Sequence, residues 1–346
     1  MLDDLKHIHQ RDPQDALGIA EKQWQQLEHQ FDTSKIQDLS SKISSVVYAG
    51  MGGSALAALI SRSWPSHKLP FEICREYKPP KYIGPKTLFI AASYSGNTEE
   101  EVSALTAAES AGAQIVVIAG GGKLAEMAHA KEHPYLEVPK VAQPRYAVLY
   151  MLKALVSILE AASLVSEANA TRDMHQAAEF IKTSAAAWRP DVPMADNPAK
   201  KLAMELAGKS IVIYGGPLMA PAAYKWKINF NENAKNVAWW NYLPEFNHNE
   251  MIGWSSHPIQ KSYAVIELRS NLEHPRVQKR FEVTERLLSG LRPSPHVVEV
   301  QGQTLLEQLL WAVVLGDFVS IYLALLNGVD PAPVDLVEKF KLELDK

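Results

Sequence analysis

Short β-branched and apolar runs alternate with helical stretches along most of this chain, and the alternation occurs twice. In the first half, strands are predicted at residues 45–48, 87–91, 114–119 and 135–138. In the second half, strands are predicted at residues 210–214, 263–268 and 297–300. Strands that alternate with helices form parallel sheets through right-handed crossovers, with helices on both faces of each sheet. The pattern therefore predicts an α/β protein with two three-layer α/β/α domains whose sheets are mainly parallel.

The helical stretches divide the chain further. We predict an N-terminal helical segment at residues 1–40, a first α/β domain at 41–165, a helical linker at 166–200 and a second α/β domain at 201–346. The most apolar stretch, residues 305–326, contains Glu307 and Asp317, and a break is expected at Gly316. A helix that spans a bilayer rarely carries carboxylates. This stretch is therefore predicted to be a buried core helix, and no membrane association is expected.

Composition and charge exclude several classes of protein. The chain has 346 residues, 47% of them hydrophobic, which is enough to fill two cores. Its formal net charge of −4 argues against a nucleic-acid partner, which usually requires a basic face. Cys74 is the only cysteine, and the N-terminus lacks the apolar core of a signal peptide. We therefore expect a cytoplasmic globular protein.

A glycine-rich turn follows the first predicted strand. Gly50, Gly52 and Gly53 let the backbone turn tightly and bring its N–H groups close to a ligand. Ser54 adds a hydroxyl at the start of the next helix. Open α/β sheets bind ligands at the carboxyl ends of their strands, and helix N-termini attract anions. The turn lacks the Gly-Lys-Ser/Thr of a P-loop, and its spacing is wrong for a dinucleotide fingerprint.

A second turn, rich in hydroxyl groups, follows the next predicted strand. Ser93, Ser95 and Thr98 surround Gly96. Glu101 follows Thr98 by three residues, which is the pattern of a capping box, so Thr98 is predicted to begin the helix. One such turn alone would indicate only tight packing with an ordinary cap. Two such turns favour a phosphate site, for which the candidates are Gly52, Gly53, Ser54, Ser93, Ser95 and Thr98.

These two turns resemble the phosphate-binding signatures of SIS (sugar isomerase) domains. Further segments are similar to the phosphoglucose/phosphomannose isomerase branch, namely residues 139–145, 231–235, 244–250, 317–324 and 330–334. The resemblance implies two SIS-type domains. It also implies a metal-independent aldose–ketose isomerase that interconverts fructose 6-phosphate with glucose 6-phosphate and mannose 6-phosphate.

The chemistry of this reaction suits the residue types in these segments. A proton moves between C2 and C1 through a cis-enediolate, and a partly desolvated carboxylate can take and return it. An imidazole can open the sugar ring near neutral pH, and a guanidinium can stabilise the charge that develops on the enediolate oxygen. The resemblance implies that Glu232 is the base, His248 the ring opener and Arg145 the enediolate stabiliser. Glu245 and Glu250 are nearby carboxylates that could replace Glu232.

Two positions leave the details of substrate recognition open. The family has a lysine on its terminal helix that reaches the sugar, and by spacing this is Lys339, with Lys341 as a competitor. Ala332 stands where the family commonly has threonine. The alanine keeps the space but lacks the hydroxyl, so the preference between the glucose and mannose epimers is left open.

The resemblance also implies an assembly and a ligand. Enzymes of this family are dimers in which the ring-opening histidine reaches the partner's site, so we expect a homodimer with His248 contributed in trans. The expected ligand is a small phosphorylated sugar, with no cofactor and no metal, because the histidines are scattered without a cluster. One alternative is a non-catalytic phosphosugar-binding regulator, which would not need Glu232 and His248. Another is a glucosamine-phosphate synthase, for whose ammonia-producing domain the chain has no room.

Overall fold

The computed structural model describes residues 1–36, 39, 43–166, 169–256 and 262–344. The predicted limit between residues 40 and 41, and residues 167–168 of the predicted linker, lie outside the described residues. The chain forms two compact units. The first unit is Lys22–Glu179, and the second unit combines Met1–Glu21 with Phe180–Lys346.

The elements alternate as the sequence pattern predicts. The strands are β1 (Ser45–Ala49), β2 (Phe71–Cys74), β3 (Thr87–Ser93), β4 (Gln114–Ala119), β5 (Tyr135–Glu137), β6 (Ser210–Gly215), β7 (Ala238–Tyr242), β8 (Tyr263–Arg269) and β9 (His296–Glu299). The helices are α1 (Leu5–Arg11), α2 (Ala16–Glu21), α3 (Trp24–Glu28), α4 (Gly52–Ser61), α5 (Glu99–Ser110), α6 (Gly122–Ala130), α7 (Val148–Ala161), α8 (Ala170–Ala185), α9 (Pro198–Leu206), α10 (Ala220–Glu232), α11 (Glu250–Gly253), α12 (Pro275–Leu287), α13 (Leu305–Leu326) and α14 (Asp335–Leu344).

The first unit contains a parallel sheet with the strand order β2-β1-β3-β4-β5. Val47, Phe89 and Val117 share one face, where they pack in the core that α5 and α6 cover. Tyr48 and Ile90 point to the other face and are also fully buried, on the side of α4 and α7. Because both faces are covered, β3 is buried at every position, and the residues between Thr87 and Ser93 are all apolar.

The second unit contains a parallel sheet with the order β7-β6-β8-β9. Val212 and Val265 lie on one face and pack against Phe281 of α12. Ile213 and Ile266 are buried on the other face, where α10 covers β6. The two units confirm the prediction of an α/β fold with two three-layer domains and parallel sheets.

Helix α13 is a buried core helix, as predicted. It is long and apolar enough to cross a membrane, but 89% of its most apolar window is buried inside the protein. The predicted break at Gly316 was wrong, since the helix continues through it. A Cβ at Gly316 would lie 2.4 Å from the Trp226 indole nitrogen, so this glycine admits the indole to the helix surface. The Trp226 N–H donates to the Ala312 carbonyl at 2.7 Å.

Helices α1 and α2 belong to the second unit. Arg11 donates to the Gly328 carbonyl at 2.6 Å, and the buried Lys200 ammonium donates to the Asp3 carboxylate at 2.9 Å. These contacts explain why the boundary between the two units divides the predicted N-terminal segment after Glu21. The second boundary between the units falls within α8, after Glu179. The domain limits stated from the sequence stay a prediction.

The predicted strands are all present, with ends that agree or differ by one or two residues, whereas β2 and β7 were not predicted. Both are edge strands. Strand β2 is mostly half-exposed, and β7 places the bulky Trp239 and Trp240 next to each other with little burial. An edge strand needs neither a continuous apolar run nor a strict alternation, so its sequence signal is weak.

Candidate active site

The turns after β1 and β3 are joined by a hydrogen bond. The Ser54 hydroxyl, in the first turn of α4, accepts from the Tyr94 amide at 3.0 Å. The Ser54 carbonyl accepts from the Tyr48 hydroxyl at 2.9 Å, so Ser54 is held from both sides. Among the described residues the Ser54 hydroxyl donates to no acceptor, so its proton is available to a ligand. It lies beside the first amides of a helix, which have no partner within the helix. This is an arrangement that a phosphate oxygen can bind.

The turn after β3 is closed by its own hydroxyl groups. The Ser93 hydroxyl is buried, lies 2.8 Å from the Thr98 hydroxyl and accepts from the Gly96 amide at 3.1 Å. The exposed Ser95 hydroxyl accepts from the Asn97 amide at 3.3 Å. Thr98 is the N-cap of α5, as predicted, but its side chain makes no capping bond to the helix backbone. The predicted capping box was wrong in this respect, because Ser93 engages the Thr98 hydroxyl instead.

A third turn, which is not among the predicted site residues, packs against the second. It follows β4 and consists of the glycines at 120–122, and the Lys123 amide donates to Asn97 Oδ1 at 3.0 Å. Gly96 has a φ of +70°, and a Cβ there would lie 1.7 Å from the Gly121 carbonyl oxygen. Only glycine fits this approach, which fixes the hydroxyl turn in place. The three successive glycines after the predicted strand at residues 114–119 are the sequence feature that could have indicated this turn.

Arg145 lies beside the first turn. It belongs to a 3-10 turn, Pro144–Tyr146, and is 1% exposed, with its guanidinium carbon 4.8 Å from the centre of the Tyr146 ring. A Cβ at Gly53 would lie 3.2 Å from the Arg145 amide nitrogen and the Pro144 carbonyl oxygen. The first unit therefore brings the predicted phosphate-binding glycine and the segment that carries Arg145 into close contact.

Tyr94 connects the segment before Arg145 to the phosphate turns. Its hydroxyl donates to the Val141 carbonyl at 2.7 Å and lies 2.6 Å from the Val141 amide. The Tyr94 backbone amide is the donor to Ser54. One residue therefore links the hydroxyl turn, the glycine turn and the approach to Arg145, a role for which the sequence offers no separate signal.

A buried carboxyl group lies behind the hydroxyl turn. Glu101, in the first turn of α5, is 1% exposed, and its Oε2 has no hydrogen-bond partner among the described residues. Burial raises the pKa of Glu101 to about 8. A charged Glu101 carboxylate would repel a phosphate bound at the same helix end. The neutral form of Glu101 is therefore compatible with an anion site.

The corresponding turn of the second unit is filled by the protein itself. Glu273 Oε1 accepts from the amides of Leu218 at 2.8 Å and Met219 at 3.4 Å, just before α10 begins. The Glu273 side chain is buried, burial raises its pKa to about 6, and a Cβ at Gly216 would lie 2.3 Å from its carboxylate. These amides hold an internal carboxylate, which supports assigning the phosphate to the turns of the first unit.

Glu232 is the last residue of α10 and is half-buried. It lines a cavity of about 910 Å³, hereafter the Glu232 cavity, together with Lys227, Lys235, Asp330 and Asp335. The cavity places a carboxylate, two ammonium groups and further acidic oxygens around one space. Lys235 also donates to the Asp330 carbonyl at 2.7 Å, which ties the segment before Ala332 to the end of α10.

A buried ionic network fixes the helix that carries Glu232. The Lys225 ammonium of α10 is paired with the Asp317 carboxylate of α13, and both side chains are fully buried. Asn229 donates to the same carboxylate at 2.7 Å, and Asn233, next to Glu232, donates to the Ser320 hydroxyl at 2.8 Å. Because a buried charge must keep its partner, this network sets the position of α10 along α13.

His248 stands apart from this cavity. It ends a 3-10 turn, Glu245–His248, and its side chain is exposed. The imidazole makes no hydrogen bond to any residue within the described part of the chain, and it is not among the residues that line the Glu232 cavity. The second unit thus carries both predicted catalytic residues without bringing them into the same cavity.

The remaining predicted positions lie near the C-terminus. Lys339 and Lys341 are exposed on α14, and neither lines the Glu232 cavity, to which α14 contributes its first residues. Lys341 forms an ion pair with Glu338 at 2.9 Å. Ala332 is fully buried, and its amide donates to Asp330 Oδ1 at 2.9 Å.

No cluster of three or more His, Cys, Asp or Glu residues suited to a metal ion occurs where the structure describes the chain. The absence of a metal from the reaction stays a prediction.

Comparisons with known proteins agree with the observed fold. The profile of the bacterial phospho-glucose isomerase C-terminal SIS domain matches residues 195–344. A bifunctional phosphoglucose/phosphomannose isomerase of Aquifex aeolicus is 31% identical over 92% of this chain and 96% of its own length. One of the same description from Caldicellulosiruptor bescii is 33% identical over 87% of this chain and 90% of its own length. A glucose-6-phosphate isomerase-like protein of Thermus thermophilus has the same fold, with a TM-score of 0.63 over 98% of both chains at 18% identity.

The two parallel α/β units, the hydroxyl turns and these relatives define an enzyme of the SIS class, a sugar-phosphate isomerase. Within that class, the chain belongs to the family of bifunctional phosphoglucose/phosphomannose isomerases. The resemblance, the fold class and the enzymatic nature stated from the sequence are confirmed. The assignments of individual site residues stay predictions.

Proposed function

We propose that this enzyme interconverts fructose 6-phosphate with glucose 6-phosphate and mannose 6-phosphate through a cis-enediolate, without a metal ion or cofactor. The observation that carries the proposal is the position of Glu232, half-buried on the wall of a cavity at the end of a rigidly held helix. A carboxylate that is partly withdrawn from water can take a proton from carbon and return it. Relatives that bear both activities in their names support the pair of aldose substrates.

The phosphate of the sugar is proposed to bind at the linked turns of the first unit. Gly52 and Gly53 allow the backbone amides to approach its oxygens, and Ser54, Ser95 and Thr98 supply hydroxyl donors. Ser93 acts with them by closing the turn, since its hydroxyl already bonds the Gly96 amide and the Thr98 hydroxyl.

The proton transfers follow from the groups available. His248 exchanges a proton with the ring oxygen and opens the sugar. Glu232 then removes the C2 proton of the aldose and delivers it to C1, and a proton moves from O2 to O1, which yields the ketose. The Arg145 guanidinium stabilises the negative charge on the enediolate oxygen. The lysine of α14 proposed to contact the sugar is Lys339, with Lys341 as the alternative.

We also propose that the enzyme is a cytoplasmic homodimer in which His248 serves the partner's site. The exposed imidazole, which does not line the Glu232 cavity, supports a contribution in trans. Burial of the apolar helix α13 inside the second unit is in keeping with a soluble enzyme.

Coupled assays test the proposal. Fructose 6-phosphate is supplied, and glucose 6-phosphate and mannose 6-phosphate are measured separately, each with and without a chelator. Formation of both products at rates that the chelator leaves unchanged is the expected result. Loss of both activities with the chelator, and their restoration by an added metal, would contradict the metal-independent mechanism.

A further inference from the structure

The turn that carries His248 is fixed by its neighbours rather than by His248 itself. Phe246 is buried, and its ring lies 4.6 Å from that of Tyr214. The Asn247 side chain donates to the Thr284 hydroxyl of α12 at 2.8 Å. Asn249 accepts from the backbone amide that follows it and donates to Glu245 Oε1, both at 2.6 Å. Residues on both sides of His248 are therefore anchored, while its imidazole is exposed.

Glu250, at the start of α11, anchors the same turn through both of its carboxylate oxygens. Its Oε1 accepts from the Tyr214 hydroxyl at 2.5 Å, and its Oε2 accepts from the Asn241 side-chain amide at 2.6 Å. Tyr214 and Asn241 are paired across the neighbouring strands β6 and β7. The Tyr214 hydroxyl in turn accepts from the Trp254 indole at 3.1 Å. One carboxylate thus joins α11 to two strands, and charge-assisted hydrogen bonds of this kind are among the stronger ones.

These bonds also argue against Glu250 as the base. Each of its oxygens already accepts a hydrogen bond from the sheet, and it does not line the Glu232 cavity. A base must have an oxygen within reach of the carbon-bound proton. Glu250 is therefore not suited to take the carbon-bound proton, the role proposed for Glu232.

We propose that Glu250 is a positioning residue for His248. Its carboxylate clamps the start of α11 to β6 and β7, and so holds the 3-10 turn from which the imidazole meets the sugar ring. The inference rests on the proposed function, because it needs His248 to act in ring opening. In this proposal Glu250 affects the reaction only by positioning the His248 imidazole.

A double-mutant cycle tests this role, with kcat and KM for fructose 6-phosphate as the readouts. Glu250→Gln loses one of the two accepted bonds, and we expect kcat to fall about 10- to 100-fold while KM stays within about 3-fold. His248→Ala alone should also be slow, with residual turnover from sugar that opens spontaneously. Adding Glu250→Gln to His248→Ala should then change kcat by less than about 2-fold, because the two residues act as a unit.

Two further variants keep the test decisive. Tyr214→Phe leaves the Glu250 carboxylate intact but removes one of its hydrogen-bond donors, so this variant should also lower kcat. If Glu250→Gln does not fold, Tyr214→Phe takes its place in the double-mutant cycle. Glu282→Gln is the control, because this exposed carboxylate of α12 pairs with Lys279 at 2.6 Å and not with the turn that carries His248. Its kcat should stay within about 3-fold of the wild-type value.

The possible results separate the inference from the proposed function. Additive losses in the double variant would show that Glu250 acts independently of His248 and would overturn the inference alone. A wild-type rate for His248→Ala would overturn both the ring-opening role and the inference. A wild-type rate for Glu250→Gln would overturn the inference and leave the proposed function standing.

Discussion

The Ser54 hydroxyl accepts a hydrogen bond from the Tyr94 amide at 3.0 Å, and this bond joins the two turns that end strands β1 and β3. The turns are 40 residues apart in sequence. Because Tyr94 also holds Val141 through its own hydroxyl, the same contact extends to the segment that leads to Arg145. Contacts within the first unit therefore hold the proposed phosphate-binding turns in place.

The first prediction concerns this bond. Ser54→Ala removes the proposed phosphate donor and the acceptor for the Tyr94 amide, at a cost of roughly 1.5–3 kcal/mol. KM for fructose 6-phosphate should rise by about 10- to 100-fold, with a smaller change in kcat. Steady-state kinetics measure both.

Ser61→Ala is the matched control. Ser61 lies on the same helix α4, and its buried hydroxyl donates to the Ala58 carbonyl, away from the turn. Its KM should match that of the wild type. A normal KM in Ser54→Ala would place the phosphate elsewhere.

The second prediction concerns pH and stability. Burial raises the pKa of Glu101 from 4.5 to about 8, so the unfolded chain loses this proton at a lower pH than the folded protein. Glu101 therefore stabilises the fold fully below about pH 4.5, and this contribution is lost as pH rises towards 8. Glu101→Gln stays neutral at every pH. Its free energy of unfolding, relative to wild type, should rise by on the order of 4 kcal/mol between pH 5 and pH 8.

Denaturant melts at several pH values measure this difference. Glu99→Gln, which changes an exposed carboxylate of the same helix turn, should show a difference that barely varies with pH. A pH-independent difference for Glu101→Gln as well would show that Glu101 ionises normally in the folded protein.

The sequence predicts the chemistry of the turns better than their connections. Glycines and hydroxyl residues after predicted strands suffice to predict which turns carry the proposed phosphate site, because backbone geometry and helix ends act locally. The Ser54–Tyr94 bond joins residues that are distant in sequence, and no local pattern encodes it. Gly96 was expected to serve a turn, but its contact with Gly121 depends on how β3 and β4 pair.

The role of Glu250 was hidden for a related reason. From the sequence it is one of several carboxylates close to Glu232 that could serve as the base. Its partners Tyr214 and Asn241 become neighbours only when β7 pairs with β6. Strand β7 was not predicted, since its aromatic edge sequence lacks the alternation that marks a strand.

The third prediction concerns the proposed trans arrangement. Glu232→Gln and His248→Ala chains should each be nearly inactive as homodimers. If His248 serves the partner's site, a heterodimer of the two variants contains one intact site of two. Mixing the variants should therefore restore up to half of the wild-type activity per heterodimer.

Differential tags and mass measurement must confirm that subunits have exchanged. Confirmed heterodimers that stay inactive would show that both residues serve a site on the same chain.

The fourth prediction addresses the central claim, that Glu232 moves the proton between C2 and C1. Fructose 6-phosphate is incubated with the enzyme in D₂O, and proton NMR follows deuterium at C2 of the glucose 6-phosphate and mannose 6-phosphate formed. A carboxylate base exchanges part of its proton with solvent before returning it, so both products should carry deuterium at C2. Glu232→Gln should lower the rate of product formation and of exchange by several powers of ten, with KM nearly unchanged. Wild-type rates of exchange in Glu232→Gln, or products of the wild-type enzyme that carry no deuterium at all, would contradict the account.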